Sequence, residues 1–438
     1  MAVVNFPTSE PKKPAKPDHV QIAEYLSPDG DLIYAQDQFW RFDPVGIWKP
    51  YHDEQVKRDL QLIHRNLHIG AKAGDINGAA SMAKGVYYRD VEWDKSDQRA
   101  VCASNGVLTY QGGEWRLTPY RKEDYRRIRL PVVYDQKATC PRFTQFVQEV
   151  FAGADDAKER IRALVEMIGL TLTATTEFEK AALLVGSGAN GKSVTLRLLG
   201  DMLGDYVSGV NPQEMDNRFQ RASLDGKLAN IVTELPEGTT LPDGAIKAII
   251  SGEACTVEHK HKNPFLMTPR VKIWIGTNHM PGTRDFSPAL FRRFLILKFQ
   301  NVFNDKTKDT RLSEKLRAEI SGILNACLGA LGSVFDRGEL TIPPSSHEAV
   351  QDWKRDADQV LTFLEEEMLK EPGAKISSAD AYAKYQQWAI GAGIQRPVSR
   401  KALTQRIEAL GWGTPGKAGS QGQRVIWGIR ERQMGDMP

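Results

Sequence analysis

Residues 181–203 read AALLVGSGANGKSVTLRLLGDML: an apolar strand, a glycine-rich turn and an amphipathic helix in succession. The turn, GSGANGKS at residues 186–193, fits the P-loop pattern GxxxxGK[ST] in the strand-to-helix context that this pattern requires. In such a loop, backbone N–H groups face phosphate oxygens, a lysine neutralises the β and γ phosphates, and a hydroxyl ligates Mg²⁺. The predicted nucleotide-binding residues are Gly186, Gly188, Ala189, Asn190, Gly191, Lys192, Ser193 and Val194.

The chain around this motif alternates short apolar runs with amphipathic stretches. Between residues 181 and 299 the apolar runs are AALLV, LANIVTE, VKIWIGTN and FLILKF. Strands that alternate with helices predict a mainly parallel sheet that is covered on both faces. The predicted fold class of this region is therefore α/β, built on a P-loop.

Hydrolysis at a P-loop also requires a carboxylate and a group that orients water. Glu234 ends the run LANIVTE and is the candidate for that carboxylate, whereas Glu237 could assist it or be an exposed loop acid. Asn278 ends the run VKIWIGTN, where its amide could orient water or could simply form a turn. The predicted catalytic residues on these elements are Lys192, Glu234 and Asn278, and Ser193 and Glu234 are the predicted Mg²⁺ ligands.

Two arginines, Arg292 and Arg293, precede the run FLILKF and lie too far along the chain to belong to the P-loop. An arginine presented to the nucleotide of a neighbouring subunit would stabilise the transition-state charge and make hydrolysis depend on assembly. Arg292 is the candidate for this catalytic role, although counting back from Phe299 leaves Arg293 possible. A surface pair that bonds carboxylates is the alternative.

A compact basic segment, CTVEHKHKNPF, lies between the second and third of the apolar runs. Lys260, His261 and Lys262 form its centre between strand-like pieces, and such side chains suit contact with phosphates. A metal site at His259 and His261 is the alternative, but two histidines without a third ligand support it weakly. We predict a DNA-binding tip at this position.

The segments on either side of the P-loop region predict further domains. Apolar spacing of the helical type and short strand-like pieces at 85–93 and 105–110 predict an α+β domain before the P-loop region. Pro343 and Pro344 mark a domain boundary after it. The predicted domains are a flexible tail at 1–17, the α+β domain at 18–139, a helical collar at 140–178, the P-loop domain at 179–345 and a last domain at 346–438.

The last domain has the pattern of a DNA-binding module. Two helical patterns, VLTFLEEEMLK and ADAYAKYQQWAI, precede the Ser-capped SRKALTQRIEALGW, a Gly-rich turn and RVIWGIR, and this order suggests a winged helix. Residues 391–438 contain eight Lys or Arg against three Asp or Glu, which suits a phosphate backbone, although a solvated basic tail has the same charge. Arg400, Lys401 and Arg406 are the predicted DNA-binding residues here.

The composition excludes several classes of protein. With 41% hydrophobic and 26% charged residues, the chain has no apolar run long enough to cross a bilayer and no signal-peptide core at its N-terminus. We therefore expect a cytoplasmic location and no membrane partner. The 4 cysteines are scattered without a CxxC pair, so reduced thiols are expected instead of a disulfide framework or a zinc site.

Five stretches, in this order and spacing, resemble the superfamily 3 helicase module of phage and plasmid primase-helicases and poxvirus-type helicases. They are GSGANGKS, the glutamate of VTELPEG, IKAIISGEA, GTNHMP and the arginines of FRRF. NGVLTY and LPVVYDQKATCPRF resemble the domain that precedes the helicase in that family, and the last domain resembles its C-terminal winged helix. The resemblance covers most of the chain and implies an AAA+ type core that acts as a ring, usually hexameric.

By this resemblance, Lys192 and Ser193 are the Walker A pair, Glu234 the Walker B acid, Asn278 the sensor and Arg292 the finger, and the tip at Lys260 and His261 is a DNA-gripping hairpin. The chain departs from the family in two respects. Thr233 stands where many viral relatives have a second acid, and no primase domain is recognisable upstream, so priming would need a separate primase or polymerase.

The expected function is that of an ATP-dependent replicative DNA helicase of a phage, plasmid or mobile element. Its cofactors would be ATP and Mg²⁺, and it would move as a homo-hexamer on single-stranded and forked DNA, 3′ to 5′ by family likeness. One alternative is a DNA-binding replication initiator that uses ATP only to assemble. Another is an AAA+ remodeller of proteins, although its pore would normally present an aromatic or apolar loop instead of Lys-His-Lys.

Overall fold

The computed structural model describes residues 17–283, 285, 287–304, 309–394, 397–419, 422–433 and 436. The tail predicted at 1–17 lies outside the described residues except for its last position. The order of elements along the described chain is an α+β region, two helices, a P-loop α/β region and a small region of helices with an antiparallel sheet.

The N-terminal region has two small antiparallel sheets and three helices. Its helices are α1 (His19–Glu24), α2 (Asp53–Asn66) and α3 (Ala73–Val86); its strands are β1 (Leu32–Ala35), β2 (Gln38–Phe42) and β3 (Trp48–Tyr51) in one sheet, and β4 (Val101–Ala103), β5 (Gly106–Gln111) and β6 (Glu114–Thr118) in the other. Val56 and Leu60 of α2 pack against Phe39 of β2, which gives this region its own core. The mixture of helices and strands agrees with the α+β character expected here.

The strand expected at residues 85–93 is wrong. α3 continues to Val86, and Tyr88 forms only an isolated bridge with Tyr34. Beyond that bridge the chain turns inward, since Trp93 packs on Trp40 with ring centroids 4.3 Å apart. The alternation of apolar and polar residues in this segment therefore comes from packing on the core and not from pairing with a neighbouring strand.

Two helices, α4 (Pro141–Phe151) and α5 (Ala157–Thr171), connect the N-terminal region to the α/β region, as the helical spacing predicted. Phe146 and Val150 of α4 lie in the same apolar cluster as Leu184 and Leu199 of the P-loop region. The two helices therefore pack directly on the α/β region.

The α/β region is built on one five-stranded parallel sheet in the order β13-β7-β12-β9-β8. Its strands are β7 (Ala181–Val185), β8 (Val207–Ser208), β9 (Ala229–Val232), β12 (Lys272–Thr277) and β13 (Phe294–Lys298), and a separate hairpin consists of β10 (Cys255–Val257) and β11 (Phe265–Met267). Its helices are α6 (Lys192–Leu203), α7 (Arg218–Arg221), α8 (Asp243–Ser251), α9 (Pro288–Phe291), α10 (Leu312–Ala318), α11 (Ile320–Arg337) and α12 (Pro344–Ala357). The expected parallel sheet is confirmed.

Alternating residues of the sheet belong to two different cores. Leu184 and Trp274 pack in the cluster that includes α4 and α5, whereas Leu183 and Ile273 pack in a second cluster on the other side. A strand that is buried on both faces reads as a continuous apolar run, as these strands do.

The domain boundary predicted at Pro343 and Pro344 does not fall between two separately packed regions. Pro344 begins α12, whose Trp353 is 2% exposed and donates from Nε1 to the carbonyl oxygen of Pro281 at 2.6 Å. The ring of Trp353 also contacts Phe294 in β13 at 5.0 Å. α12 therefore packs on the α/β region. We propose that the boundary between this region and the last domain lies near Asp358 and not between residues 345 and 346.

The last region contains three helices and a three-stranded antiparallel sheet in the order β14-β16-β15. Its elements are α13 (Gln359–Glu367), β14 (Met368–Ser377), α14 (Ser378–Gly391), α15 (Arg400–Ala409), β15 (Thr414–Ala418) and β16 (Gln423–Glu431). The helix expected through Lys370 ends at Glu367, because Met368 and Leu369 pair with β16. A strand thus follows the first helix, where the sequence predicted three helices before any strand.

Among the described residues, no single helix is long and apolar enough to cross a membrane. α10 and α11 meet that criterion only when they are taken together, and they are bent by 72° relative to each other. Ile323 and Leu331 of α11 are buried in the same cluster as α5.

Candidate functional site

The P-loop, Glu234 and Asn278 come together at the carboxyl edge of the parallel sheet. Thr277 pairs with Val185, and Ile275 pairs with Val232, so β7, β12 and β9 end side by side. Residues that follow these strands must therefore leave the sheet at one edge, where ligands of open α/β sheets bind. The parallel register brings together the three predicted nucleotide motifs.

The backbone of the P-loop turns through residues with positive φ. Gly188 and Gly191 have φ values of 106° and 94°, and Ala189 between them has φ 46°. The loop is fixed from outside, because the side-chain amide of Asn190 donates to the carbonyl oxygen of Phe299 at 2.9 Å and Phe303 N donates to Ala189 O at 2.8 Å. The turn is thus fixed at the amino end of α6, the position at which phosphate-binding loops present their N–H groups.

Lys192, the first residue of α6, has its ammonium group among oxygen acceptors of the site. It donates to the carbonyl oxygen of Gly186 and, at 3.3 Å each, to Oδ1 of Asn190 and Oδ1 of Asn278. Burial lowers the pKa of Lys192, and the charge of Glu234 acts in the opposite direction. Asn278 therefore lies within hydrogen-bonding distance of Lys192, and Glu234 is near enough for its charge to act on Lys192.

Glu234 lies two residues beyond β9 and is exposed, as is Ser193 at the start of α6. The backbone of Thr233 lies close to Gly276 of β12: a Cβ atom at position 276 would be 2.7 Å from the carbonyl oxygen of Thr233. Glycine at 276 thus lets the acid-bearing segment approach the sheet edge. Glu237 is exposed in the following loop, and the structure describes no contact that links it to the P-loop.

A cavity beside the P-loop contains residues that sequence reasoning missed. It has a volume of about 200 Å³ and extends from the backbone of the P-loop to α4 and α10. Its apolar lining comes from Phe146, Val194, Phe303 and Leu312, and its polar lining from Arg142, Glu149 and Asp309. The only sequence signal was that the predicted helical collar, which contains α4, precedes the P-loop domain; apart from Val194, these side chains were not singled out by any motif.

Arg292 and Arg293 differ in exposure. Arg293 is buried, and its guanidinium donates to Ala289 O and, at 2.8 Å, to Ser251 Oγ. The side chain of Arg292 is 63% exposed, and its Nη2 donates to Glu179 Oε2 at 2.9 Å. Exposure therefore favours Arg292 as the arginine available to another molecule.

The basic tip lies at the end of the β10–β11 hairpin. Lys260, His261 and Lys262 are all exposed, and His261 adopts φ 65°, which closes the turn together with the bond from Lys262 N to His259 O. The ring of His259 stacks on Phe265 at 5.3 Å. The hairpin thus presents its charges outward on a short antiparallel support.

α7 adds a second element to this surface, which the sequence analysis did not single out. Arg218 pairs with Glu258 of the hairpin at 3.1 Å, and its guanidinium lies 5.1 Å from the ring centre of Phe219. Phe219 is 42% exposed, so its ring is accessible beside the hairpin. We call Arg218, Phe219, Lys260, His261 and Lys262 the tip surface.

In the last region, a basic groove runs between α15 and the β15–β16 hairpin. Its cations are Arg400, Lys401, Lys417 and Arg424, and the last two face each other across the strands. Like charges directly opposite one another destabilise a hairpin, so an anionic ligand would be favourable here. Arg406, by contrast, bonds the buried carboxylate of Asp358 through Nε and Nη2, at 2.8 and 2.5 Å.

Two family models match parts of the chain. One, described as "D5 N terminal like", matches residues 23–152, and another, described as "Family of unknown function (DUF5906)", matches residues 184–293. The second match includes the P-loop, Glu234, Asn278 and Arg292.

The curated relatives come from viruses. They include "Putative helicase 022R" of Frog virus 3 (isolate Goorha), 25% identical over 46% of this chain and 23% of its own length, and "Putative helicase 121R" of Invertebrate iridescent virus 3, 22% identical over 72% and 37%. "Putative helicase L207/L206" of Acanthamoeba polyphaga mimivirus is 23% identical over 51% of this chain and 26% of its own length. These matches support a primase-helicase-like family. The chain spans about a quarter to a third of the length of these relatives.

The fold is similar to that of the NrS-1 C-terminal region. Two apo structures of that region have TM-scores of 0.53 and 0.55, cover 94% of this chain and 99% of the other, and are 11% identical. At this identity the likeness concerns the fold alone.

Proposed function

We propose that this protein is an ATP-dependent replicative DNA helicase of the superfamily 3 type from a phage, plasmid or other mobile element. The observation that carries the proposal is the convergence of the P-loop, Asn278 and Glu234 at one edge of a parallel sheet, with Lys192 Nζ 3.3 Å from Asn278 Oδ1. The viral relatives with helicase names support it, as does the "D5 N terminal like" match.

The residues present fit ATP with Mg²⁺. The positive φ values of Gly188 and Gly191 form a cradle for phosphates, and the adjoining apolar cavity suits a nucleobase. Ser193 and Glu234 would hold Mg²⁺, an ion that commonly takes few protein ligands and keeps waters and phosphate oxygens for the rest. The bound metal would neutralise charge on the transferring phosphate; Lys192 would bind the β and γ phosphates, and Asn278 with Glu234 would orient water.

Arg292 would act on the nucleotide of a neighbouring subunit. Phe294 pairs with Ala181, and Lys298 pairs with Val185, so Arg292 precedes the amino edge of the sheet while the P-loop follows the carboxyl edge. β7 has five residues at about 3.3 Å each, so roughly 16 Å of sheet separates the two edges. A cis contact is therefore disfavoured, and a ring, by family likeness a hexamer, would bring Arg292 to another subunit's site.

The tip surface would grip single-stranded DNA. Lysines and histidine suit phosphate contact, and an exposed aromatic ring such as that of Phe219 suits stacking on bases. β12 follows the hairpin and ends at Thr277, next to Asn278, so one strand joins the proposed DNA grip to the proposed sensor. A change at the nucleotide could then be transmitted to the hairpin.

The last region would act as a winged helix on forked DNA. Its order of helix, strand, two helices and hairpin, and the basic groove between α15 and the hairpin, support this role. Movement 3′ to 5′ is proposed from family likeness, and priming would fall to a separate primase or polymerase.

The test combines ATP turnover with strand displacement on a labelled fork. We expect single-stranded DNA to stimulate ATP hydrolysis and the protein to displace one strand only with hydrolysable ATP and Mg²⁺. Stimulated turnover without displacement would contradict the helicase proposal. Negligible turnover with ATP-dependent assembly on DNA would instead identify the initiator.

A further inference from the structure

Glu179 lies within a small charged cluster at the amino edge of the sheet. Its Oε2 atom accepts from Arg292 Nη2 at 2.9 Å and lies 3.0 Å from Nη2 of Arg293. The next residue, Lys180, donates from Nζ to the carbonyl oxygen of Arg292. The Glu179 carboxylate thus faces two guanidinium groups, and with Lys180 beside it the cluster as a whole is positively charged.

The backbone at Glu179 is held in an unusual conformation. Its φ of 45° lies in the left-handed region, which is unfavourable for most residues other than glycine. A bond from Glu179 N to Thr176 O, at 3.0 Å, closes the turn, and Ala181 N donates to Arg293 O at 2.8 Å. The turn therefore holds the carboxylate beside the two arginines.

The two arginines use this carboxylate differently. Arg293 is anchored by Ser251 as well, so it does not depend on Glu179 alone. Arg292 is exposed, and exposed ion pairs contribute little to stability. A phosphate of higher charge could therefore take over Arg292 without a large cost.

We infer that Glu179 is a positioning residue for Arg292: it holds the guanidinium at the subunit surface, ready for transfer to the nucleotide of a neighbouring subunit. This inference rests on the proposed function. Without the carboxylate, Arg293 and Lys180 would repel Arg292 and leave it in many orientations. The proximity of these charges is also reflected in the pKa of Lys180, which burial and both arginines lower.

The experiment compares three full-length variants under conditions in which the protein assembles. Glu179→Asn removes the charge with a residue that tolerates the left-handed region, and Glu179→Asp keeps the charge. Glu177→Gln is the matched control, since Glu177 forms an exposed pair with Arg99 at 2.6 Å, two residues away. Melting temperature and oligomer size are measured for each.

We expect Glu179→Asn to lower kcat about tenfold and to change KM for ATP less than about twofold, because a displaced catalytic group costs rate while the P-loop is intact. Glu179→Asp should recover most of the rate, and Glu177→Gln should behave as wild type. Unchanged kcat in Glu179→Asn, or an equal loss in the control, would overturn the inference.

The background variant Arg292→Ala separates the inference from the function on which it rests. If Glu179 acts through Arg292, adding Glu179→Asn to Arg292→Ala should cause no further loss of turnover. A further loss of the same size would assign Glu179 a role of its own. Full turnover in Arg292→Ala would contradict the proposed trans role of Arg292 itself, whatever Glu179 does.

Discussion

The ammonium group of Lys192 lies among three oxygens contributed by two separate segments. Gly186 and Asn190 belong to the P-loop, whereas Asn278 follows β12, so one side chain links two strand ends. Because the same group would neutralise transferring phosphate, its loss should affect the chemistry more than the fold.

Lys192→Ala is therefore expected to abolish ATP turnover and to leave the melting temperature close to that of the wild-type protein. The measurement is steady-state phosphate release alongside a thermal melt. Lys158→Ala, which removes an exposed lysine from α5, is the control and should retain full turnover. Normal hydrolysis by Lys192→Ala would refute the P-loop assignment.

The tip surface and the basic groove are built on different elements and are distinct candidates for binding nucleic acid. One is built on the β10–β11 hairpin and α7, and the other on α15 and the β15–β16 hairpin. The first is connected through β12 to the proposed nucleotide site, whereas the second belongs to a region with a separate apolar core. Their removal should therefore have different effects.

Replacing Lys260 and His261 together by alanine removes phosphate contacts, and replacing Phe219 by alanine removes base stacking; each loss is worth about 1–3 kcal/mol. Either variant should therefore reduce the stimulation of ATPase by DNA at least about fivefold. Basal ATPase and oligomer size should be retained. The measurement is turnover at saturating single-stranded DNA, with Leu266→Ala as a control on the same hairpin, where Leu266 is 67% exposed. Full stimulation in either tip variant would exclude that part of the tip surface from the proposed grip.

Arg400→Ala with Lys401→Ala should weaken DNA binding, and the slope of log affinity against log salt should fall by about 1 for each lost phosphate contact. Turnover at saturating DNA should be nearly unchanged. Binding across a salt series tests both points, and an unchanged slope would mean that α15 does not contact phosphates.

Arg406, which the sequence grouped with Arg400 and Lys401, is expected to act differently. Asp358 is 0% exposed and also caps α13 through bonds to Val360 N and Leu361 N. Removing the guanidinium should leave a buried unpaired charge and destabilise the last region by about 3–5 kcal/mol. A thermal melt of Arg406→Ala checks this; a wild-type melt combined with a reduced salt slope would support the original assignment to DNA.

A complete catalytic site would require two subunits. The P-loop and Arg292 lie at opposite edges of the same sheet, and the strand register that separates them is continuous from Phe294 to Lys298. A subunit with a damaged P-loop could still donate Arg292, and a subunit without Arg292 could still bind nucleotide.

Mixing Arg292→Ala subunits with Lys192→Ala subunits should raise ATP turnover above the residual level of either variant alone, because interfaces of the mixed type contain one intact site. The measurement is turnover as a function of mixing ratio, with mass measurements to show that mixed assemblies form. If mixed assemblies form and no ratio restores turnover, Arg292 does not serve a neighbouring site.

Features that depend on a local pattern of residues follow from the sequence alone. The P-loop is a contiguous motif, and strands buried on both faces read as apolar runs, so the parallel sheet and the positions of Lys192, Glu234 and Asn278 could be predicted. The basic tip was visible for the same reason, since its residues are adjacent in the chain.

The contacts between residues that are distant in sequence could not be predicted in this way. Arg292 and Arg293 are identical in type and adjacent in sequence, and burial against Ser251 distinguishes them. Likewise, the charge of Arg406 suggested DNA, but its partner is Asp358, 48 residues away. Composition and spacing describe what a side chain can do, whereas burial and long-range pairing decide what it does, because those contacts form only when separate elements pack together.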